Sequence, residues 1–353
     1  MRLQAYCKKE ILFLIKCILK RNNDKNSSMI LFFTFKCAFY IDSKLVLSYN
    51  TNYKDSFFEE GKEDVMRIFQ KGFNYSQDGF GNRLVYHLQG CNMKCPWCSN
   101  PEGMRWEGVL ITEEEWLLDE VCPHHAIRDK QLDRAVCREC KGRECVTEHR
   151  TKGIRLSYEE IEVDALVEEI IGNSPMFYDG GGVTFTGGEA TLQFDELLEA
   201  LKRLTAAGIH TAVETNGAHP RLQECFPYIS QLIMDCKLCD EEKHRRATSI
   251  SNAQTIENIR RAAELHPCLH IRVPLIGKVN DSEEDIRDFL EFFQSLRDGN
   301  VTFELLSYHE FGKKKWEQCG WEYQMTDAAH VKEETVKKFR DSIRGLGLNY
   351  MRT

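Results

Sequence analysis

The sequence lacks the features that mark nucleic-acid-binding, membrane-spanning and exported proteins. Its formal net charge is −8, so no basic excess indicates a nucleic-acid partner. Its early apolar runs, Ile11–Ile15 and Met29–Phe33, are far shorter than the roughly 20 residues of a spanning helix. Lys8 and Lys9 precede the first run, but no small-residue cleavage site follows it. We therefore predict neither a nucleic-acid partner, nor a membrane span, nor a signal peptide.

A paired cysteine framework is also missing. The chain has 15 cysteines, an odd number, and seven of them fall into two clusters. This distribution argues against a secreted protein stapled by disulfides and favours thiolates that bind metal in a reducing compartment. We predict a cytoplasmic protein.

Residues 1–65 differ from the rest, with broken apolar runs around a polar stretch from Asn22 to Ser28. We expect a poorly ordered extension here, consistent with an upstream start codon, and Met66 looks like a natural beginning. The cysteines of this part, Cys7, Cys17 and Cys37, are not expected to bind metal.

The first cysteine cluster is Cys91, Cys95 and Cys98, spaced C-x3-C-x2-C on a loop after the apolar run Leu84–Leu88. A [4Fe–4S] cluster normally takes four cysteines, so a fourth must come from elsewhere or one iron stays open to a small molecule. Structural zinc is the alternative, although a usual zinc knuckle has two C-x2-C pairs. We favour the iron–sulfur cluster.

This spacing after a strand resembles the radical S-adenosylmethionine (SAM) superfamily, and Gly187-Gly188-Glu189 resembles its second motif, which holds the SAM amino group. The segments CPWCSNP, TFTGGEATLQ, VETNG, MDCK and LLSYHEFGKKKW resemble, more narrowly, the glycyl-radical enzyme activating enzymes, the group of pyruvate formate-lyase activase. The resemblance covers about residues 66–345.

The resemblance implies an activity and its cofactors. A [4Fe–4S] cluster on the three cysteines would bind SAM at its open iron, and reductive cleavage would give methionine and a 5′-deoxyadenosyl radical. That radical would abstract a hydrogen atom from a glycine of a partner glycyl-radical enzyme. Flavodoxin or ferredoxin would supply the electron, and we expect a monomer.

The pattern after Glu160 alternates strands and helices. The predicted helices span Phe194–Ala207, Leu222–Ile229, Asn252–Leu265, Glu283–Leu296 and Ala328–Leu346. With Leu84–Leu88 there are six predicted strands; the others are Gly182–Thr186, His210–Glu214, Leu232–Lys237, His270–Ile276 and Val301–Leu306. Repeated βα units imply a parallel sheet, and six units are fewer than the eight of a closed barrel. The resemblance implies an α/β fold, a partial (β/α)6 barrel, formed by residues 66–103 and 156–353. No short-period repeat is present.

Polar side chains at the strand ends are the predicted SAM contacts, because chemistry in such sheets lies at the carboxyl ends of the strands. The resemblance assigns this role to Asn100, Gly187, Gly188, Glu189, Glu214, Asp235, Lys237, Arg272 and His309. In the activases two acidic side chains here also hold a monovalent cation, and the family often has aspartate where this chain has Glu214. Structural roles remain open: a tight turn, a helix cap, a salt bridge or an ordinary loop histidine.

The second cysteine cluster lies in an insert, residues 104–155, with Cys122, Cys137, Cys140 and Cys145. Four thiols suit one [4Fe–4S] cluster or one tetrahedral zinc. Many activases carry a ferredoxin-like insert with eight cysteines here, and this chain has four. We predict one auxiliary cluster, with zinc, or a stapled loop without redox function, as the alternatives.

Two other functions remain open from the sequence. One is a radical SAM enzyme that acts on a small molecule or peptide. The other is a non-catalytic iron–sulfur or zinc binding module, which would not bind SAM. The sequence does not identify the partner, because activases of pyruvate formate-lyase, of diol or choline lyases and of decarboxylases look alike.

Overall fold

Parallel strands form the centre of the fold. The computed structural model describes residues 64–73, 78–140, 142–147, 153–296 and 299–351, within a unit that extends from Lys62 to Thr353. In chain order its strands are β1 (Val65–Phe73), β2 (Arg83–Leu88), β3 (Leu110–Thr112), β4 (Ile127–Arg128), β5 (Gln131–Leu132), β6 (Ile154–Leu156), β7 (Glu159–Glu162), β8 (Gly182–Gly187), β9 (Thr211–Thr215), β10 (Gln231–Asp235), β11 (Leu269–Leu275) and β12 (Val301–Ser307). The predictions for residues 1–63, including Cys7, Cys17 and Cys37, lie outside the described residues.

The main sheet has eight strands in the order β12-β11-β10-β9-β8-β2-β1-β7. Six neighbouring strands of this sheet pair in parallel: β12, β11, β10, β9, β8 and β2. They are the six strands that the sequence predicts, so the α/β fold with six βα units is confirmed. Two further strands were not predicted: β1 pairs antiparallel with β2, and β7 pairs antiparallel with β1.

The described α-helices span Arg134–Glu139, Glu144–Thr147, Val163–Gly172, Phe194–Ala206, Glu241–Thr248, Ala253–Leu265, Glu283–Gln294, Lys313–Gln318 and Glu333–Gly345. The helix Phe194–Ala206 shows why these segments are helical. Its leucines recur on one face and are fully or nearly fully buried, each burial stabilising the fold by about 1.5–3 kcal/mol, and Gly208 at φ 75° follows its end. No helix among the described residues is long and apolar enough to cross a membrane.

Several predicted boundaries were wrong. The last helix, predicted from Ala328, begins at Glu333, and the segment predicted as a helix from Leu222 is a 3-10 helix that contains Pro227. Proline lacks the N–H that a longer α-helix would need there. The helices Val163–Gly172, Glu241–Thr248 and Lys313–Gln318 were not predicted.

The insert has its own small core and hairpin. Strands β3 and β6 pair antiparallel where the chain leaves and rejoins the main sheet. Leu117, Val121, Ile127 and Ile154 pack with Cys122 and Cys145. The turn between β4 and β5 has two residues at positive φ, Asp129 and Lys130, and both donate their backbone N–H to the carboxylate of Asp119. This packing orients the cysteines of the insert toward each other.

Candidate active site

One cavity of about 460 Å³ lies at the carboxyl ends of the parallel strands. Every residue that the sequence predicts for the first cluster and for SAM lines it: Cys91, Cys95, Cys98, Asn100, Gly187, Gly188, Glu189, Glu214, Asp235, Lys237, Arg272 and His309. These residues come from six different strand ends and loops that are up to 218 positions apart, so the fold alone brings them together. Their roles toward a ligand remain predictions.

The loop from Gly90 to Gly103, here named the cluster loop, presents three thiols to this cavity. Burial raises the pKa of each of these thiols to about 12. Among the described residues, no cysteine is in a disulfide. A buried thiol of high pKa becomes a thiolate when a cation is bound to it, and the donor set therefore suits a metal centre.

Gly187 and Gly188 allow the turn after β8 to pack directly against the cluster loop. Gly188 donates its N–H to Leu88 O at 2.9 Å, and Glu189 donates its own to Gly90 O at 2.7 Å. A Cβ on Gly188 would lie 2.2 Å from Gly90 O, and Gly187 has φ 123°. In the structure these glycines allow the close approach of the neighbouring backbone, and their predicted contact with SAM stays a prediction.

Glu189 is buried and already has protein donors. Its Oε1 accepts hydrogen bonds from Thr191 N at 3.0 Å, from Thr191 Oγ1, and from Thr215 Oγ1 at 2.6 Å; its Oε2 accepts one from Asn216 N at 2.7 Å. Burial raises the pKa of Glu189 against the opposing effect of these hydrogen bonds. The carboxylate thus caps the next 3-10 helix, the structural role that the sequence left open, and a contact with SAM stays a prediction.

Arg272 is held by two carboxylates. Its Nη1 lies 2.9 Å from Glu214 Oε1, and its Nε lies 3.1 Å from Glu304 Oε2. Nη2 is also buried, and it has no hydrogen-bond partner among the described residues. Because Arg272 lines the cavity, this third nitrogen is a donor that fits an acceptor group of a bound ligand.

Asp78 forms a carboxyl pair with Glu214 in the wall of the cavity. Burial and the neighbouring Glu214 raise the pKa of Asp78 to about 8. Burial raises the pKa of Glu214, but Arg272 and the hydrogen bonds from Thr186 and Asp78 together lower it overall. At neutral pH the pair therefore holds one proton, on Asp78. The sequence contains no signal for this residue, which no motif includes.

Lys237 and Asp235 form an ion pair within the cavity wall. Burial lowers the pKa of Lys237, but the Asp235 carboxylate and the nearby Cys95 and Cys91 together raise it overall. Lys237 is therefore a permanent cation, and its charge lowers the pKa of the three cluster-loop thiols. The pair lines the same cavity as the thiols, and its role toward a ligand stays a prediction.

The segment after β12 completes the cavity. His309 stacks on Phe311 with ring centroids 4.3 Å apart, and Phe311 is 80% exposed at the rim. Asn100 accepts a hydrogen bond from Lys315 Nζ at 2.7 Å. Lys315 also lines the cavity and was not predicted as a site residue, although it lies in the segment LLSYHEFGKKKW.

A second, small pocket in the insert is lined by all four predicted cysteines, Cys122, Cys137, Cys140 and Cys145. His124 lies at its edge, exposed, with a nitrogen within 4.8 Å of ligand atoms of Cys140 and Glu144. No other group of three possible metal-ligand side chains is that close among the described residues, so neither cysteine cluster has three sulfurs within this distance. A tetrahedral zinc needs sulfurs only about 3.8 Å apart, given its 2.3 Å bonds.

Comparisons with known proteins show the family of this chain. The family model described as the Radical SAM superfamily matches residues 85–290. The 4-hydroxyphenylacetate decarboxylase activating enzyme of Clostridioides difficile (strain CD196) is 32% identical over 281 residues, 75% of this chain and 88% of that protein. The isethionate sulfite-lyase activating enzyme of Oleidesulfovibrio alaskensis is 35% identical over 258 residues, 68% of this chain and 82% of that protein. A solved domain of pyruvate-formate lyase-activating enzyme from Bacteroides vulgatus ATCC 8482 is 31% identical, with a TM-score of 0.41, and covers 49% of this chain and 98% of that domain.

Proposed function

This chain belongs to the radical SAM superfamily and, within it, to the enzymes that activate glycyl-radical enzymes; from this premise we propose the residues that hold its cofactors. Membership implies a [4Fe–4S] cluster and SAM. We assign the cluster to Cys91, Cys95 and Cys98, and SAM to the cavity beside them. The observation that carries this assignment is that these thiols and all nine predicted SAM contacts line a single cavity.

The protein groups of the cavity bind and orient SAM in this proposal. The unpartnered Nη2 of Arg272 donates to an oxygen of SAM, and Glu214 and Glu304 hold the guanidinium in place for it. Asp235 and Glu189 offer carboxylate oxygens to its cationic groups. Lys237 adds a fixed positive charge beside the thiols. When bound, the cluster and SAM supply the 5′-deoxyadenosyl radical that takes a hydrogen atom from a glycine.

The partner in this proposal is a glycyl-radical enzyme whose glycine segment reaches the cavity past the exposed Phe311. The C–H bond of a glycine Cα is too strong for acid or base chemistry at neutral pH, so the protein needs this cofactor. The electron comes from a reduced flavodoxin or ferredoxin. Metal-binding thiols fit the reducing cytoplasm, and the protein acts as a monomer.

The insert holds a second [4Fe–4S] cluster on Cys122, Cys137, Cys140 and Cys145 in this proposal. The four thiols line one pocket, and no three of their sulfurs lie within 4.8 Å of one another, whereas a zinc tetrahedron needs all of them about 3.8 Å apart. Zinc is the alternative that metal analysis distinguishes.

Anaerobic reconstitution with iron and sulfide, followed by reduction and addition of SAM, tests the proposed function. We expect 5′-deoxyadenosine from the parent and none from Cys95→Ala, because two cysteines do not hold the cluster. Cys225→Ala is the matched control, since Cys225 is buried in the core and does not line the cavity. Chromatography measures the product.

The remaining outcomes separate the alternatives. No product from a parent with its full iron content would overturn the proposal in favour of a binding module. Product formation without a glycyl radical signal in any glycyl-radical enzyme from the same source would favour a small-molecule or peptide substrate.

A further inference from the structure

The segment from Gly312 to Trp321, here named the bridging segment, contacts the cluster loop with its first half. Trp316 Nε1 donates a hydrogen bond to the carbonyl of Cys98 at 2.9 Å. Lys315 Nζ lies 2.8 Å from Glu102 Oε1. A Cβ on Gly312 would lie 2.6 Å from Cys98 O, so only glycine allows this close approach.

The second half of the bridging segment contacts the insert. Arg134 Nη2 donates to Gln318 O at 3.0 Å, and its Nη1 donates to Leu110 O at 2.9 Å. Gly320 has φ 72°, which favours glycine, and a Cβ there would lie 1.8 Å from Arg134 Nε, so a side chain would displace the guanidinium. Arg134 begins the short helix that carries Cys137. The same segment is thus bonded to the two cysteine sites.

Aromatic and apolar packing keeps the two halves together. Trp316 lies edge-on to Trp321, with ring centroids 5.8 Å apart, and Cys319 packs against Val109 and Ile111 of the insert. A displacement of the insert therefore moves Gln318, and with it the indole that is bonded to Cys98. Groups that bond to a metal ligand from outside orient that ligand and tune the metal.

We propose that the bridging segment couples the insert to the cluster loop, with Arg134 and Trp316 as positioning residues. When the insert is folded around its own metal centre, Arg134 donates a hydrogen bond to the carbonyl of Gln318 and fixes the bridging segment. Trp316 then fixes the backbone of Cys98 through its hydrogen bond to the Cys98 carbonyl. The inference rests on the proposed function only in taking Cys98 as a ligand of the SAM-binding cluster. It assigns the insert a structural influence on that cluster.

The test compares four anaerobically reconstituted full-length proteins: the parent, Trp316→Phe, Arg134→Gln and, as the control, Arg128→Gln. Phenylalanine keeps the aromatic packing and removes the indole N–H, and Arg128 is an exposed arginine of the same insert. The readouts are iron content, the affinity for SAM, and the electron paramagnetic resonance spectrum of the reduced protein with and without SAM.

We expect Trp316→Phe and Arg134→Gln to retain the iron content of the parent. Both should bind SAM about tenfold more weakly and change the spectrum of the cluster, since removal of an outer partner of a metal ligand has effects of this size. Arg128→Gln should match the parent. A change in Arg134→Gln is decisive, because this side chain lies outside the cavity and binds the bridging segment through a main-chain carbonyl.

The coupling would be overturned if Arg134→Gln had the same spectra and the same affinity for SAM as the parent. This holds even if Trp316→Phe differed from the parent, because the effect of Trp316→Phe would then be local to Cys98. The spectra recorded without SAM make this decision independently of SAM binding. Failure of the parent to form 5′-deoxyadenosine would overturn the proposed function instead, so the two failures are distinguishable.

Discussion

A single proton lies between Asp78 and Glu214, and it determines how the cavity responds to pH. Glu214 is ionised because Arg272 lies 2.9 Å from it, and a second negative charge beside it is unfavourable. Asp78 therefore stays protonated up to about pH 8, and its proton forms the hydrogen bond to Glu214. The pair contributes one negative charge to the cavity, which the guanidinium of Arg272 balances.

Asp78→Asn should stabilise the protein at high pH and leave its stability near pH 4 unchanged. The pKa of Asp78 is raised on folding from 3.8 to about 8, so the unfolded state binds fewer protons than the folded state between these values. The free energy of unfolding of the parent must therefore fall as the pH rises through this range. Asparagine keeps the donor to Glu214 and has no proton to lose.

Thermal unfolding of the metal-free protein under reductant, from pH 4 to pH 9, measures this difference. Each kcal/mol that the variant gains should raise its unfolding temperature relative to the parent by about 2–4 °C at the high-pH end. Asp179→Asn, at an exposed aspartate, is the control and should follow the parent. Parallel curves for Asp78→Asn and the parent would show that Asp78 is ionised in the folded protein.

At the scale of elements, the turn after β8 and the cluster loop form one packed unit. Gly188→Ala should disrupt it, because the added Cβ would lie 2.2 Å from Gly90 O and 2.5 Å from Gly103 O, both rigid backbone atoms. We expect a loss of about 1–3 kcal/mol in the free energy of unfolding and reduced iron at the first site. Iron and sulfide analysis after reconstitution, with thermal unfolding, checks both effects.

Gly172→Ala is the matched control for this substitution. Gly172 ends a helix, and an added Cβ there meets no atom within 4 Å, so we expect no loss of stability and the iron content of the parent. If Gly188→Ala also kept its iron and its unfolding temperature, the close packing of the two loops would not be needed for the cluster site.

Six of the eight strands were predictable because buried parallel strands are continuous apolar runs. The strand β7 was not, since its sequence is EEIE and three of its four residues are exposed. Only its pairing with β1 makes it a strand, and that partner lies 91 or more residues earlier in the chain. The local sequence of β7 does not indicate such a distant pairing.

At the scale of the whole molecule, the location of the site was predictable and its internal bonding was not. The carboxyl-end rule for parallel strands was enough to place Glu189, Lys237 and His309 together. The partners of Arg272 depend on distances between β9, β11 and β12, and the donors to Glu189 come from two different loops. A motif specifies the type of a residue but not the neighbouring groups that form hydrogen bonds with its side chain.

The insert is a separate small core within the molecule, and its metal content is measurable apart from SAM chemistry. We expect about eight irons in the reconstituted parent and about four in the double variant Cys137→Ala/Cys140→Ala, because each [4Fe–4S] cluster has four irons. The remaining irons should belong to the cluster loop, whose three thiols line the other cavity. About four irons with one zinc in the parent would assign zinc to the insert, and about four irons without zinc would contradict any metal centre there.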